Sequence, residues 1–241
     1  MSQLNAEVHT IDELTDRVRG DMYRLYAQFY DATDQNQFNN DLDGKTHTIL
    51  MRDQSGVLQG FTSLARYWHN FQGMKCQIVY SGDTIVHQEF WGEQTLPETW
   101  IALTGQFKSE YPDQKLFWFL IVKGHRTYRY LSIFSKNYFP CHNRKTPTDT
   151  QQLINTLASA RFGKFYKADT GLIQFPESRG HLKSELSTVP DNALKRADVS
   201  YFLKRNPGYG NGDELVCITE LSLDNLSRRA RVYFEKGLIP C

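Results

Sequence analysis

Residues 115–139, KLFWFLIVKGHRTYRYLSIFSKNYF, constrain this chain more than any other stretch. Seven of them, from Leu116 to Val122, form an unbroken apolar run of aromatic and branched side chains. Such a run is too short for a buried helix and suits a strand covered on both faces. Gly124 breaks it. Thr127, Tyr130, Leu131, Phe134 and Tyr138 then recur at three- and four-residue spacing, the stripe of an amphipathic helix, with Arg126, Arg129 and Lys136 off the stripe. A buried strand therefore feeds a basic, aromatic helix through Lys123, Gly124 and His125. In open α/β sheets ligands gather beyond the carboxyl ends of strands, so this junction is the first candidate for function.

The elements before it read in order. Thr10 and Glu13 make a capping box. Leu14, Val18, Met22, Leu25 and Phe29 follow as a helical stripe. Residues 31–44 are polar and read as mostly irregular. Residues 45–52 and 57–68 form a hairpin around a turn in which Asp53 can bond the backbone two residues on and Gly56 tolerates positive φ. Residues 74–86 are a third strand, interrupted at Ser81-Gly82-Asp83 by a bulge. After a loop at 87–94, Thr95 and Glu98 make a second capping box for a helix that buries Leu96, Trp100, Leu103 and Phe107. Beyond residue 139 come a polar linker, a helix over 148–161, a short strand within 171–175, a helical segment at 197–204, a turn-rich loop at 206–213, a strand at 214–221 and a basic helix over 223–234.

Composition narrows the function classes. A net charge of +1 gives no bulk field to hold nucleic acid or a membrane surface. No apolar run approaches the roughly 20 residues of a membrane span, and residues 1–10 lack the apolar core of a secretory signal. Cys76, Cys141, Cys217 and Cys241 are scattered without a C-x-x-C pair, which fits free thiols and a cytoplasmic setting. The adjacent Cys141 and His142 are poorly placed to act as nucleophile and base. The histidines lack metal-ligand spacing, and no metal is expected. Aromatic residues make up 13% of the chain, enough to supply a large core or a rigid-walled pocket.

The order over residues 10–139 is helix, irregular segment, hairpin, bulged strand, loop, helix, buried strand, helix. It resembles the GNAT superfamily of acyl-transfer enzymes, chiefly over residues 78–96 and 116–139. The resemblance implies a mixed, mostly antiparallel sheet flanked by helices, an α+β fold, in which the bulged strand and the next strand splay into a V. The acyl-pantetheine arm of a thioester donor lies in that V. Residues 1–140 would be the donor-binding core. Residues 141–241 would complete the sheet and cover the acceptor side. The loop Phe90-Trp-Gly-Glu-Gln-Thr95 departs from the family's basic, glycine-rich phosphate loop: it has one glycine, an acid and no arginine. That points toward the branch making N-acyl amino acids or acyl-homoserine lactones, with acyl-CoA or an acyl carrier protein as donor and a small amine or amino acid as acceptor.

Acyl transfer to an amine needs a base, and Asp83 at the bulge can serve, or it simply caps the bulge. Tyr128 and Tyr130 are candidate acids for the departing thiolate, in the role the family gives a tyrosine on this helix; Tyr130 falls on the apolar stripe and reads as core, so Tyr128, beside the stripe, is the one taken as catalytic. Ser81, Thr84, Ile85 and Val86 take the place of the donor-binding strand, with amides near Ile85 facing the thioester carbonyl. His87 and Trp91 would line the donor channel. Lys123, His125, Arg126 and Arg129 sit where the helix dipole disfavours cations, so either an anionic partner (an acceptor carboxylate, the donor phosphates or the acidic face of a carrier protein) or plain solvation explains them. On the first reading His125 joins the catalytic candidates and Lys123, Arg126 and Arg129 the donor-binding ones. A non-catalytic module using the same cleft is the alternative reading.

Overall fold

The computed structural model, which describes residues 4–177 and 179–239, puts Leu116–Val122 in the middle of an eight-stranded sheet. In chain order the elements are β1 (Asn5–Thr10), α1 (Asp16–Tyr26), β2 (Tyr30–Asp31), α2 (Gln35–Asp43), β3 (His47–Arg52), β4 (Leu58–Phe71), β5 (Met74–Val86), α3 (Thr95–Glu110), β6 (Leu116–Val122), α4 (His125–Phe134) and α5 (Thr148–Phe162). They continue with β7 (Tyr166–Lys167), β8 (Leu172–Ile173), β9 (His181–Leu182), α6 (Ser184–Ser187), α7 (Asp191–Leu194), α8 (Ala197–Arg205), β10 (Glu214–Glu220) and α9 (Arg228–Leu238). The sheet order is β1-β3-β4-β5-β6-β10-β8-β7, and β2 pairs with β9 apart from it. Every join in the large sheet is antiparallel except β5–β6. This is the mixed, mostly antiparallel, helix-flanked sheet that the resemblance implied.

Helices cover both faces. Trp118 of β6 packs with Trp100 of α3 and Phe134 of α4 on one face. Phe119, its neighbour in sequence, points the other way, to Leu153, Ile154 and Leu157 of α5. Successive residues of a strand face opposite sides, so an apolar run is what a strand buried on both needs. Helices α3 and α9 approach so closely that a Cβ at Gly105 or Gly237 would collide with the other helix's backbone. A second cluster, with Met22, Phe38, Phe61 and Ile85, lies under α1 and α2.

The β5–β6 ladder is incomplete. It runs from Gln77 opposite Leu116 to Ser81 opposite Leu120 and stops. Both strands continue, each held by its outer neighbour. Thr84, Ile85 and Val86 pair with Thr62, Phe61 and Gly60 of β4, while Ile121 and Val122 pair with Val216 and Leu215 of β10. The parting coincides with a bulge. Between Thr62 and Leu64 on β4 lies one residue, and between the matching Thr84 and Ser81 on β5 lie two, Gly82 and Asp83. Val79 and Val86 both pack on the Trp100–Trp118 side, although seven residues apart. A regular strand would put them on opposite faces, so the extra residue resets the alternation.

Several expectations change. Residues 31–44 include a helix, α2, because Asp34 caps it through Gln37 N at 2.9 Å and Phe38 and Leu42 bury one face. The Thr10–Glu13 box closes a short 3₁₀ turn, and α1 starts later, behind Thr15. The Thr95–Glu98 box does not form, since Glu93 occupies the Thr95 amide. Helix α4 ends at Phe134, and the last helix starts behind Ser227. Residues 5–10, read only as polar, add an edge strand. Cys76, Cys141 and Cys217 are buried free thiols, and Cys241 lies outside the described residues. No helix among the described residues is long and apolar enough to cross a membrane.

Candidate functional site

The gap between the parted strands opens into a cleft of about 1240 Å³. The backbone direction of β5 follows from its bonds. The His87 amide donates to Gln59 O at 2.7 Å, on the β4 side. Amides alternate along a strand, so that of Ile85 faces β4 as well and those of Thr84 and Val86 face the gap. The Trp91 indole Nε1 donates to Val86 O at 2.8 Å, from the gap side. The amide available to a ligand carbonyl is therefore that of Val86 or Thr84, and not that of Ile85.

Asp83 on β5 and Glu214 on β10, the outer neighbour of β6, both line the cleft. Asp83 is half-buried at the bulge and lines the cleft. Among the described residues its side chain makes no hydrogen bond or contact ion pair. Burial raises its pKa, and Asp41 raises it further, while Lys123 and Lys45 pull it down. Glu214 heads β10, and burial pushes it up to about 7. Its Oε1 lies 3.7 Å from Lys123 Nζ. Lys45 is buried and paired with Asp41. A Cβ at residue 82 would overlap the Lys45 and Ser63 side chains, so glycine at the bulge makes room for that buried lysine.

A second set of charges lies on α4. Arg126 stacks on the Trp91 ring with Cζ 4.2 Å from its centroid, and its Nη1 donates to Leu186 O at 3.4 Å. Arg129 Nε is buried without a partner. Neither arginine has a carboxylate partner among the described residues. His125 is 5% exposed, and burial with the neighbouring Arg126 and Arg129 lowers its pKa to about 4. It is neutral near pH 7 and cannot supply the cation assigned to it from sequence.

The structure brings Ser81, Asp83, Thr84, Ile85, Val86, Trp91, Lys123, His125, Arg126 and Arg129 to the cleft. Their side chains differ in availability. Ser81 Oγ accepts from Trp118 Nε1 at 2.7 Å and seals the apex of the V. Thr84 Oγ1 is 2.7 Å from Thr62 Oγ1, and Ile85 is buried under α1, so both offer backbone only. Lys123 belongs with Glu214 and lies over the Tyr30 ring. Two assignments fail. His87 does not line the cleft. Tyr128 is fully buried, packs on Phe202 of α8 and donates its hydroxyl to Pro140 O at 2.8 Å, so it cannot reach a leaving group. Tyr130, two residues on, lines the cleft. Glu214 was not singled out by sequence, where its only signal is an acid opening an apolar strand.

The helix N-terminus that would meet a phosphate is already occupied. Glu93 accepts from the Thr95 amide at 2.8 Å and from Thr95 Oγ1 at 2.5 Å. An acid there takes one of the orphan amides and complements the dipole from within the chain. No group of His, Cys, Asp or Glu among the described residues is arranged to hold a metal ion.

No protein-family model matches the sequence, and a search of curated proteins gives no match. Solved structures similar in fold include the GNAT family N-acetyltransferase YhbS of Escherichia coli in complex with CoA, at 13% identity and TM-score 0.39, over 56% of this chain and 69% of that one. Arabidopsis thaliana NAA60 with a bisubstrate analogue is similar at 13% identity and TM-score 0.40, over 58% and 91%. A probable N-acyltransferase from Enterococcus faecalis V583 is similar at 13% and 0.40, over 90% of this chain and 65% of that one.

Proposed function

We propose that this chain is an N-acyltransferase of the GNAT type, moving an acyl group from a thioester to an amine. One observation carries the reading: the β5–β6 ladder stops at Ser81 and Leu120 while both strands run on, with Asp83 on β5 and Glu214 of β10, the strand beside β6, both lining the cleft. A pantetheine arm is a narrow chain of amides, and the open edge of β5 offers it strand-like partners. The Val86 amide would polarise the thioester carbonyl. The amine attacks the carbonyl carbon, and Asp83 takes the proton from its nitrogen as the C–N bond forms. Glu214, ionised only above about pH 7, shares the positive charge of the arriving amine. The C–S bond then breaks, the thiolate takes a proton from Tyr130, and Asp83 releases its proton to solvent as Tyr130 takes one back.

The donor's phosphates would rest on Arg126 and Arg129, since Glu93 closes the helix N-terminus. That arrangement accepts a coenzyme A thioester or a phosphopantetheine on a carrier protein. The same closure favours the second reading, a module of this shape that binds an acyl group, metabolite or protein partner without catalysis. Mass spectrometry after mixing the protein with acyl-CoA and acyl-carrier-protein panels and an amine separates them. Acylated amine supports the enzyme, and binding without transfer supports the module.

A further inference from the structure

The acceptor side of the cleft carries two arginines that the acyl-transfer reading leaves unused. Arg161, near the end of α5, lays its guanidinium on the Tyr80 ring, with Cζ 3.8 Å from the centroid. Arg179 lies over Phe175 at 4.4 Å and Phe165 at 5.4 Å. Both line the cleft, and neither forms an ion pair with a carboxylate among the described residues. The lysines in the same half are satisfied: Lys45 by Asp41 and Lys123 by Glu214. A guanidinium stacked on a ring is held in place, while its N–H edge stays free for a two-point bond to a carboxylate or phosphate.

The spacing joins this edge to the proposed chemistry. Tyr80, under Arg161, and Asp83 are three residues apart on β5, at most about 10 Å along a strand. Tyr80, Arg161, Asp83 and Glu214 all line the same cleft. One small molecule can place an amine at Asp83 and an anionic group at the arginines. We infer that the acceptor is an amine bearing a carboxylate or phosphate, and that Arg161 and Arg179, both from the segment after residue 140, hold that anion. This rests on the acyl-transfer reading for the fate of the amine, but the anion subsite is measurable without it.

The probes are L-glutamate, phosphoethanolamine, ethanolamine and spermidine, tested on the full chain by calorimetric binding and by transfer from acyl-CoA or an acyl carrier protein. Glutamate or phosphoethanolamine should bind at least about tenfold more tightly than the two amines without an anion, a gap typical of one charge-assisted pair. Whichever of the two prevails identifies carboxylate or phosphate. Arg161→Gln and Arg179→Gln should each remove most of that preference, with the donor KM and melting temperature unchanged. Binding that ignores the anionic group, or variants that move the donor KM instead, would overturn the inference. Selective binding with no transfer from either an acyl-CoA or an acyl carrier protein would keep the subsite and remove the acyl-transfer reading. Transfer without charge preference would do the reverse.

Discussion

The two halves of β5 behave differently against the same neighbour. From Gln77 to Ser81 the strand is sealed to β6, with Ile78 and Val79 fully buried on opposite faces. From Asp83 to Val86 it has left β6, and its free edge meets a cleft. Neither half lacks hydrogen-bonding capacity, so the difference lies in the inserted residue. A bulge adds twist and bend to the strand that carries it, and here the outer strands β4 and β10 hold the parted ends in place. The lesson is that a cleft of this kind is made by one extra residue and kept open by the neighbours on either side.

The sharpest way to break this contrast is at Asp83, the polar residue of the open half. Asp83→Asn should lower turnover by about 100-fold, the low end for loss of a general base, with donor affinity within twofold. Equal turnover in steady-state assays would reduce the open half to a binding groove. The next effect is on the donor. Arg126→Gln and Arg129→Gln should each raise the donor KM about tenfold, as loss of a charge-assisted bond does, with acceptor KM unchanged. If neither moves the donor KM, the donor's phosphates lie elsewhere.

Glu214 gives a pH effect of known sign. Its carboxyl titrates at about 7 in the folded chain, against an ordinary value of 4.5. Between those values the folded state keeps a proton that the unfolded chain has released, so stability falls as pH rises through this window. Glu214→Gln removes that loss. The variant should match the native protein at pH 4 and melt higher at pH 8, while the acid limb of the activity profile near pH 7 disappears. A variant that melts lower at pH 8 would mean that the Lys123 pair outweighs burial. The smallest effect separates two tyrosines. Tyr128→Phe should cost about 1 kcal/mol of stability through its lost bond to Pro140 and leave turnover within twofold. Tyr130→Phe should slow turnover severalfold and leave stability nearly unchanged.

Much of the closed half was legible in sequence, because its cause is local. The apolar run gives β6, the Asp53–Gly56 turn gives the hairpin, and a glycine followed by an aspartate inside a strand marks the bulge. The site was legible only where it lies on those elements. Glu214 matters because β10 lands beside β6, a pairing across more than ninety positions that no local pattern encodes. The stripe on α4 admits two phases one residue apart. Packing by α8 decides between them, burying Tyr128 and leaving Tyr130 at the cleft. In α2 the polar composition concealed a helix fixed by one cap and two buried residues.

The most direct measurement is a crystal structure with a non-hydrolysable acyl-CoA analogue in which methylene replaces the thioester sulfur. The account predicts the pantetheine arm lying along residues 83–86, its reactive carbonyl bonded to the Val86 amide, and β5 and β6 still parted after Ser81. An analogue bound outside the gap, or a β5–β6 ladder that closes through Val86, would contradict it.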